Sequence, residues 1–370
     1  MEYSNCLNVM KTIIVLTLFF TATVTSANVP FEGEQAVVTA EFIYLQDEVA
    51  FPSCHASTIA ETSEGVVAAW FGGTHEKHPD VGIWFSRQEN GTWTDPVEVA
   101  DGVQHTGLRY PTWNPVLFNY GDELYLFYKE GPTPQDWWGQ LIISADNGRT
   151  WSRRTRLPNE ILGPIKNKPE LLPNGELICP TSSEHDGWQV YMEFTADRGK
   201  TWERIAPIND GYKIAAIQPS ILKHPDGKLQ ILCRSKNKQI LSAWSDDNGR
   251  SWSNLEPIDL PNPNSGTDAV TLKDGRHALV YNHIDPNSEW GDRNVLNVAI
   301  SDNGLDWQAA VLLENDPDPD GEYSYPAMIQ TDDGMVHVTY TWNRKQIKHV
   351  VLDPSKFKAV PMNKGKWPTR

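Results

Sequence analysis

One short phrase occurs five times in this chain of 370 residues, and its repetition constrains the fold more than any other feature. Three copies keep the order Ser/Thr-x-Asp-x-Gly-x-Thr/Ser-Trp, a fourth is one residue shorter, and a fifth is degenerate; they occupy residues 144–151, 195–202, 245–252, 301–307 and 86–93. The Asp can accept hydrogen bonds from its own turn, the Gly can take a positive φ, and the Trp can close the turn as an apolar plug. The copies recur about every 50 to 60 residues, a period typical of stacked supersecondary units.

The repeated phrase resembles the Asp-box of the sialidase superfamily. The resemblance covers residues from about Val37 to Phe357 and implies a six-bladed β-propeller. The repeated residues are therefore expected to serve the scaffold and not the chemistry.

A second element repeats with the same period, because two short apolar strands flank a turn glycine in each unit. The glycines number six: Gly65, Gly121, Gly175, Gly227, Gly275 and Gly334. Two further strands, 38–45 and 347–352, are left over near the ends of this region. Pairing them in one blade would close the ring and remove exposed edges. The sequence thus predicts an all-β, six-bladed β-propeller of four-stranded antiparallel blades, closed by its N- and C-terminal strands.

The chain begins with features of a secretion signal. Lys11 precedes an apolar run at 12–20, and small residues at 25–27 suit cleavage. We expect a signal peptide at 1–27, a linker at 28–36, the propeller at 37–357 and a C-terminal tail at 358–370. The apolar run is too short to span a bilayer, so the protein is expected to be secreted or periplasmic.

The formal charge of −16 argues against nucleic acid or an anionic membrane as a partner. An acidic sugar could bind only where a local cluster of cations overrides this charge. We expect a monomer that binds an acidic oligosaccharide or polysaccharide, without a cofactor.

Aligning the six hairpins on their glycines places a polar residue at the start of each first strand, before a proline or alanine. These residues are His55, Asn114, Lys168, Gln218, Asp268 and Tyr325. The first strand of a propeller blade lines the central channel, so we expect the six side chains to meet at one end of the axis. They form either a binding pocket or a set of mutually satisfied structural groups.

The ends of the second strands return to the same face and add cations and aromatic side chains. The candidates from these ends and nearby loops are Lys129, Arg234, His283, Arg344, Arg293, Trp113 and Tyr323. Arg and Lys suit a sugar carboxylate, and an aromatic face suits a sugar ring. We therefore predict substrate binding by these cations, His283 and Trp113, together with Asn114, Lys168, Gln218 and Asp268.

The resemblance to sialidases also implies roles for single residues. Those enzymes bind the substrate carboxylate with three arginines, use a tyrosine nucleophile assisted by a glutamate, and take an acid/base aspartate from an early loop. Arg234 is similar in position to the second arginine, and Arg293 or Arg344 to the third. Tyr323 or Tyr325 would be the tyrosine and Asp80 the aspartate; the first-blade arginine is absent from Pro-Ser-Cys-His at 52–55.

Six further stretches resemble a secreted "sialidase-like" or BNR-repeat subgroup: 54–58, 69–74, 113–117, 164–169, 261–266 and 322–326. This subgroup is similar in architecture to propeller enzymes that cleave rhamnose–glucuronate linkages, as in ulvan, by elimination. Such chemistry needs a group that neutralises the uronate carboxylate and a base for the adjacent proton. Arg234, Lys168, Asn114 and Gln218 could neutralise it, His55 or Tyr325 could be the base, and Tyr323 or Tyr325 the acid.

These patterns favour a carbohydrate-active lyase or dehydratase that acts on a terminal acidic sugar of ulvan-type saccharides. A sialidase-type hydrolase with a tyrosine nucleophile and a non-catalytic, lectin-like propeller are the alternatives. His75, His78 and Asp80 have a spacing that could hold a metal, but two histidines in a loop are a weak signal, and no metal site is predicted.

Overall fold

The computed structural model describes residues 35–105, 107–285 and 291–368. The predicted signal peptide and residues 28–34 of the predicted linker lie outside these ranges. The described chain is almost entirely β-structure, with two 3-10 helices at Gln46–Glu48 and Pro354–Lys356. No helix within the described ranges has the length and apolarity needed to cross a membrane.

Six antiparallel sheets follow one another along the chain, and they are the six blades of a propeller. The first strand of the chain, β1 (Val37–Phe42), belongs to the last blade. Blade 1 contains β2 (Ser53–Thr62), β3 (Gly65–Gly73), β4 (Gly82–Glu89), β5 (Thr92–Trp93) and β6 (Val97–Ala100). Blade 2 contains β7 (Thr112–Tyr120), β8 (Glu123–Glu130), β9 (Trp138–Ser144) and β10 (Thr155–Arg156). Blade 3 contains β11 (Glu170–Leu171), β12 (Leu177–Ser183), β13 (Gln189–Thr195) and β14 (Glu203–Arg204).

The remaining blades repeat this order. Blade 4 contains β15 (Ala216–Lys223), β16 (Leu229–Ser235), β17 (Gln239–Ser245) and β18 (Glu256–Pro261). Blade 5 contains β19 (Asp268–Thr271), β20 (His277–Tyr281), β21 (Val295–Ser301) and β22 (Gln308–Asn315). Blade 6 contains β23 (Tyr323–Gln330), β24 (Val336–Trp342) and β25 (Gln346–Leu352) together with β1, and the last strand of the chain is β26 (Val360–Pro361).

The ring is closed by the two ends of the fold, as predicted. β1 pairs antiparallel with β25, with Phe42 opposite Lys348 and Val37 opposite Leu352. β2 of blade 1 then contacts β23 of blade 6. The predicted fold class is confirmed.

The C-terminal segment differs from the expected tail. β26 pairs with β22 and adds a fifth strand to blade 5. Further along, the backbone N–H of Trp367 donates to Nε2 of His283 at 3.1 Å. Val360, Pro361 and Trp367 therefore contact the propeller.

The repeated phrase folds as predicted at its complete copies. In the first of them, Asp146 accepts from the backbone and hydroxyl of Thr150 and from the hydroxyl of Ser144. The same hydroxyl accepts from the N–H of Gly148, whose φ is 85°. These hydrogen bonds stay within the turn, so the phrase stabilises the scaffold.

The apolar core lies mainly within and between neighbouring blades. One cluster joins blades 5 and 6 through residues such as Val298, Met328 and Tyr340, all without exposed surface. Burial on this scale is the main favourable contribution to folding. Cys54, Cys179 and Cys233 are buried and free.

Candidate active site

Four inner strands, β2, β7, β15 and β23, bulge at one equivalent point near their start. The residues at the bulge have left-handed φ values: Ala56 at 55°, Asn114 at 38°, Gln218 at 57° and Tyr325 at 50°. Bulges of this kind change the direction of a side chain relative to the regular sheet. They bring part of the predicted set to one end of the axis.

The alignment predicted from the sequence was wrong by one residue in blade 1. The bulge places Ala56 in the position of Tyr325, while His55 still pairs regularly with Phe71. The residue that follows the bulged position is Ser57 in blade 1 and a proline in the other three blades. His55-Ala56 therefore resembles the pattern of a polar residue before a proline or alanine, but His55 does not occupy the bulged position.

The hydroxyl of Tyr325 lies at the centre of the site. It accepts a hydrogen bond of 2.6 Å from Nη1 of Arg234, and Nε2 of Gln218 lies 3.4 Å away. Nε of Arg234 donates to Oδ1 of Asn264 at 3.0 Å, which fixes the guanidinium. A guanidinium here can stabilise negative charge that develops on the tyrosine oxygen.

Two more arginines share the carboxylate of Glu322. Its Oε1 accepts from Nη1 of Arg293 at 3.2 Å and from Nε of Arg344 at 2.9 Å. Nη1 of Arg344 also donates to Glu76 at 2.5 Å. Nη2 of Arg344 has no hydrogen bond to any described residue, so it is available to a ligand.

The arginines surround the tyrosine. The guanidinium carbons of Arg234 and Arg293 lie 5.5 and 6.0 Å from the centre of the Tyr325 ring. Arg344 lies at the end of the blade 6 hairpin, and its carbonyl accepts from the N–H of Cys54. The backbone of Arg344 therefore lies beside β2, the strand whose start lacks the arginine that the sialidase resemblance implies.

His55 contacts Tyr325 but is a weak base. The two ring centres are 4.1 Å apart, and Nδ1 of His55 lies 3.0 Å from the hydroxyl of Thr341. Burial, followed by the positive charges of Arg344, Arg293 and Arg234, lowers the pKa of His55 well below its ordinary value. The imidazole is thus neutral at pH 7 and strongly resists protonation.

Two carboxyl groups at this end of the propeller have opposite pKa shifts. Burial raises the pKa of Glu184, which accepts from Nε1 of Trp188 at 2.9 Å. The Trp188 ring also lies 5.1 Å from the guanidinium carbon of Arg234. For Asp80, burial alone would raise the pKa, but hydrogen bonds from Thr74 and His78 outweigh burial and lower it.

Two of the predicted substrate ligands bind each other. Lys168 donates to both carboxylate oxygens of Asp268, at 3.0 and 3.1 Å. Asp268 also accepts from the hydroxyl of Ser220 and the backbone N–H of Met328. The pair joins blades 3, 4, 5 and 6 across the channel, so both side chains already have partners within the protein.

Two other predicted site residues, Lys129 and Trp113, lie outside the arginine cluster. Lys129 is fully buried and donates to the carbonyl of Pro164. Trp113 is buried, with Nε1 bonded to the carbonyl of Gly131. These two predictions of substrate contact were wrong because their side chains pack within the blades, and Asn114 is placed only at the bulge of blade 2.

Tyr323 and His283 face other partners. The hydroxyl of Tyr323 donates to Asp316 at 2.7 Å, and burial and this carboxylate raise the pKa of Tyr323. His283 lies between Tyr281 and the backbone of Trp367. Of the two candidate tyrosines, only Tyr325 has a hydroxyl that bonds to an arginine.

Sequence reasoning missed the acidic residues that orient the arginines. Glu322 and Glu76 lie outside the repeated positions, so the repeat alignment gave no signal for them. The stretch 322–326 was noticed, but only its tyrosines were assigned roles. Asn264, Glu184 and Trp188 were missed for the same reason.

The loop considered for a metal makes contacts of its own. Nδ1 of His78 lies 2.7 Å from Asp80, and Nδ1 of His75 lies 2.8 Å from the carbonyl of Glu76. Within the ranges that the structure covers, no group of three His, Cys, Asp or Glu side chains is arranged to hold a metal ion.

The fold and this cluster define a propeller of the BNR-repeat class. The family model described as BNR repeat-like domain matches residues 64–338, and the chain belongs to that family. One curated relative, the anhydrosialidase of Macrobdella decora, is 24% identical in an alignment of 194 positions that covers 47% of this chain. The match covers only 24% of that relative's length.

Solved structures with similar folds include two sialidase-type enzymes. The Hadza microbial sialidase Hz136 has a TM-score of 0.73 at 14% identity, covering 86% of this chain and 69% of that one. The intramolecular trans-sialidase of Ruminococcus gnavus, solved with oseltamivir carboxylate, has a TM-score of 0.68 at 14% identity, covering 89% and 100%. At such identity the likeness shows a common fold alone.

Proposed function

We propose that the protein is a sialidase-type glycosidase that removes a terminal sugar acid from a glycan, with Tyr325 as its nucleophile. The observation that carries this proposal is a linked group of three arginines at Tyr325: Arg234 donates to its hydroxyl, Arg293 lies 6.0 Å from its ring centre, and Arg344 shares the Glu322 carboxylate with Arg293. The family assignment and the names of the similar proteins support the same class of enzyme.

The arginines bind the carboxylate of the sugar. Guanidinium groups form charge-assisted hydrogen bonds with carboxylates, often in a bidentate manner. Glu322 holds Arg293 and Arg344 in place before the substrate arrives. Such preorganisation reduces the reorganisation needed during the reaction.

Tyr325 attacks the anomeric carbon. When that carbon carries the carboxylate, a negatively charged nucleophile would repel the substrate, whereas a phenol is neutral until it reacts; tyrosine is the nucleophile that sialidases use in place of the common carboxylate pair. The bond from Tyr325 Oη to carbon forms while the bond to the leaving oxygen breaks. The phenol proton passes to solvent water, and Arg234 stabilises the negative charge that develops on the phenol oxygen.

Glu184 is the proposed proton donor for the leaving group, because the pKa of its carboxyl is raised whereas that of Asp80 is lowered. A general acid must be protonated at the working pH, and burial raises the pKa of Glu184. Hydrogen bonds from Thr74 and His78 lower the pKa of Asp80, so its carboxyl loses its proton at a lower pH than that of Glu184.

Elimination fits these groups less well. It requires a base strong enough to remove a weakly acidic carbon-bound proton. His55, the base that the elimination hypothesis selects, has a strongly lowered pKa among several cations. Lys168, one of the proposed neutralising groups, is already bound to Asp268.

The test is product analysis after incubation with 3'-sialyllactose and, separately, with ulvan oligosaccharides. We expect lactose and a free or anhydro sugar acid from the first substrate, and no conjugated double bond by ultraviolet absorbance from the second. Tyr325→Phe should abolish turnover while the variant still binds a sugar acid in calorimetry. An unsaturated uronate product would support the lyase, and binding without any turnover by the wild type would support a lectin.

A further inference from the structure

A buried pair of side chains lies directly beneath the candidate site. Lys166 and Asn167, here called the axial clamp, precede β11 and have 2% and 1% of their surface exposed. The ammonium of Lys166 lies 5.9 Å from the centre of the Tyr325 ring. The proposed chemistry assigns no role to either residue.

Lys166 connects three blades through one ammonium group. Its Nζ donates to Oδ1 of Asn167 at 2.9 Å, to the carbonyl of Thr267 at 3.0 Å and to the carbonyl of Pro326 at 2.6 Å. An ammonium has three N–H groups, and these three acceptors use all of them. Lys166 therefore holds backbone and has no donor left for a substrate.

The clamp donates hydrogen bonds to backbone carbonyls at two of the four bulges, those of blades 4 and 6. Pro326 follows Tyr325 directly, and Nδ2 of Asn167 donates to the carbonyl of Gln218 at 2.8 Å. Tyr325 and Gln218 both have left-handed φ values, 50° and 57°. Such strained conformations persist only where the surrounding structure holds them.

The space for the clamp depends on a glycine. A Cβ added to Gly266 would lie 2.9 Å from Cε of Lys166 and 3.3 Å from Oε1 of Gln218. Any other residue at 266 would push against the clamp or against Gln218. This close packing, like the hydrogen bonds of its ammonium group, restricts the conformation of the Lys166 side chain.

We propose that Lys166 and Asn167 are positioning residues that hold the bulges of blades 4 and 6, and so keep the Tyr325 hydroxyl against Arg234. The proposal rests on the glycosidase function proposed above. The clamp sets the position of the Tyr325 nucleophile. It does not act on binding of the sugar carboxylate, because Glu322 separately orients Arg293 and Arg344.

The first test compares Lys166→Met with Lys129→Met on 3'-sialyllactose. Both lysines are fully buried and donate to a proline carbonyl, but Lys129 lies outside the site. We expect Lys166→Met to lower kcat by about 10²-fold, the loss typical of a nucleophile misplaced by about 1 Å, with little change in KM. Lys129→Met should retain wild-type kcat below its melting temperature.

Gly266→Ala provides a second variant that keeps the ammonium but displaces it. A fall in kcat shared by Lys166→Met and Gly266→Ala, and absent from Lys129→Met, is the expected result. Unchanged kcat in both clamp variants, or equal losses in both lysine variants, would overturn the proposal. If Lys166→Met does not fold, Gly266→Ala and Asn167→Ala decide the question by the same measurement.

A crystal structure of Lys166→Met or Gly266→Ala tests the clamp without any substrate. The hydroxyl of Tyr325 should move beyond hydrogen-bond distance of Nη1 of Arg234; an unchanged contact would overturn the clamp. If the wild type cleaves no sugar acid, the glycosidase proposal fails, and this structural readout still decides the clamp.

Discussion

Arg234 and Tyr325, on blades 4 and 6, meet across the axis through a hydrogen bond of 2.6 Å. Gln218 completes this contact, since its Oε1 lies 3.3 Å from Nη1 of Arg234 and its Nε2 lies 3.4 Å from the tyrosine oxygen. An amide thus lies where the sialidase pattern implies a glutamate that assists the tyrosine. In the proposed mechanism, Tyr325 therefore relies on the cation of Arg234 and not on a carboxylate base.

Replacing Gln218 with Glu should supply that base. We expect Gln218→Glu to raise kcat by up to about 10²-fold, the lower range for general base catalysis. The KM for the acidic sugar should also rise, because the new carboxylate competes for Arg234. The pH dependence of kcat should gain an acid limb, whereas Gln218→Met should not; identical pH profiles for the wild type and Gln218→Glu would contradict this role.

Replacing Glu184 with Gln tests the proton donor. Because a general acid matters most for a poor leaving group, Glu184→Gln should lower kcat by about 10²-fold or more on 3'-sialyllactose. Turnover of a 4-methylumbelliferyl glycoside, whose leaving group needs no proton, should change little. Asp80→Asn is the matched control; if it shows this leaving-group dependence and Glu184→Gln does not, Asp80 is the acid.

Glu322 should make the stability of the protein depend on pH in the acid range. Burial alone would raise the pKa of Glu322, but Arg344 and Arg293 outweigh burial and lower it below the ordinary value of 4.5. A lowered folded-state pKa contributes stability above the unfolded pKa, and this contribution is lost as pH falls through the folded pKa. The difference in melting temperature between the wild type and Glu322→Gln should therefore be largest near neutrality and shrink below pH 4.5; a constant difference would show that the carboxylate charge is not responsible.

Asp268 should matter for stability and not for substrate affinity. Asp268→Ala leaves Lys168 without its carboxylate in a largely buried setting. Breaking such a pair costs about 3–5 kcal/mol in the free energy of unfolding, which urea denaturation would measure. KM should stay near the wild-type value. Asp226→Ala, which removes an exposed ion pair with Lys228, should have little effect on either quantity.

The blade count followed from the sequence because its signals are local. Each complete Asp-box turn is closed by its own residues, as in the hydrogen bonds from Thr150 to Asp146. The six turn glycines all have positive φ, which the hairpins require. Because these requirements are local, they produce the same sequence motif in each repeated unit.

The site was predictable only in part, because its contacts cross between blades. The structure brings together six of the residues predicted for the site, which are Tyr325, Arg234, Gln218, Arg293, Arg344 and His55. Lys168 and Asp268 have the residue types of a binding site, and only the distance between them shows that they pair. The one-residue error at His55 arose because a bulge is defined by φ and register, and neither can be read from the His-Ala pair.

The most direct measurement is mass spectrometry of the intact protein and its peptides after reaction with a 3-fluorosialosyl fluoride. The fluorine beside the anomeric carbon slows release of the sugar from the nucleophile, so a covalent intermediate accumulates. We predict one sugar adduct, on the peptide containing Tyr325, and none in Tyr325→Phe. Turnover of 3'-sialyllactose by the wild type with no adduct, or with an adduct on another residue, would contradict the assignment of Tyr325.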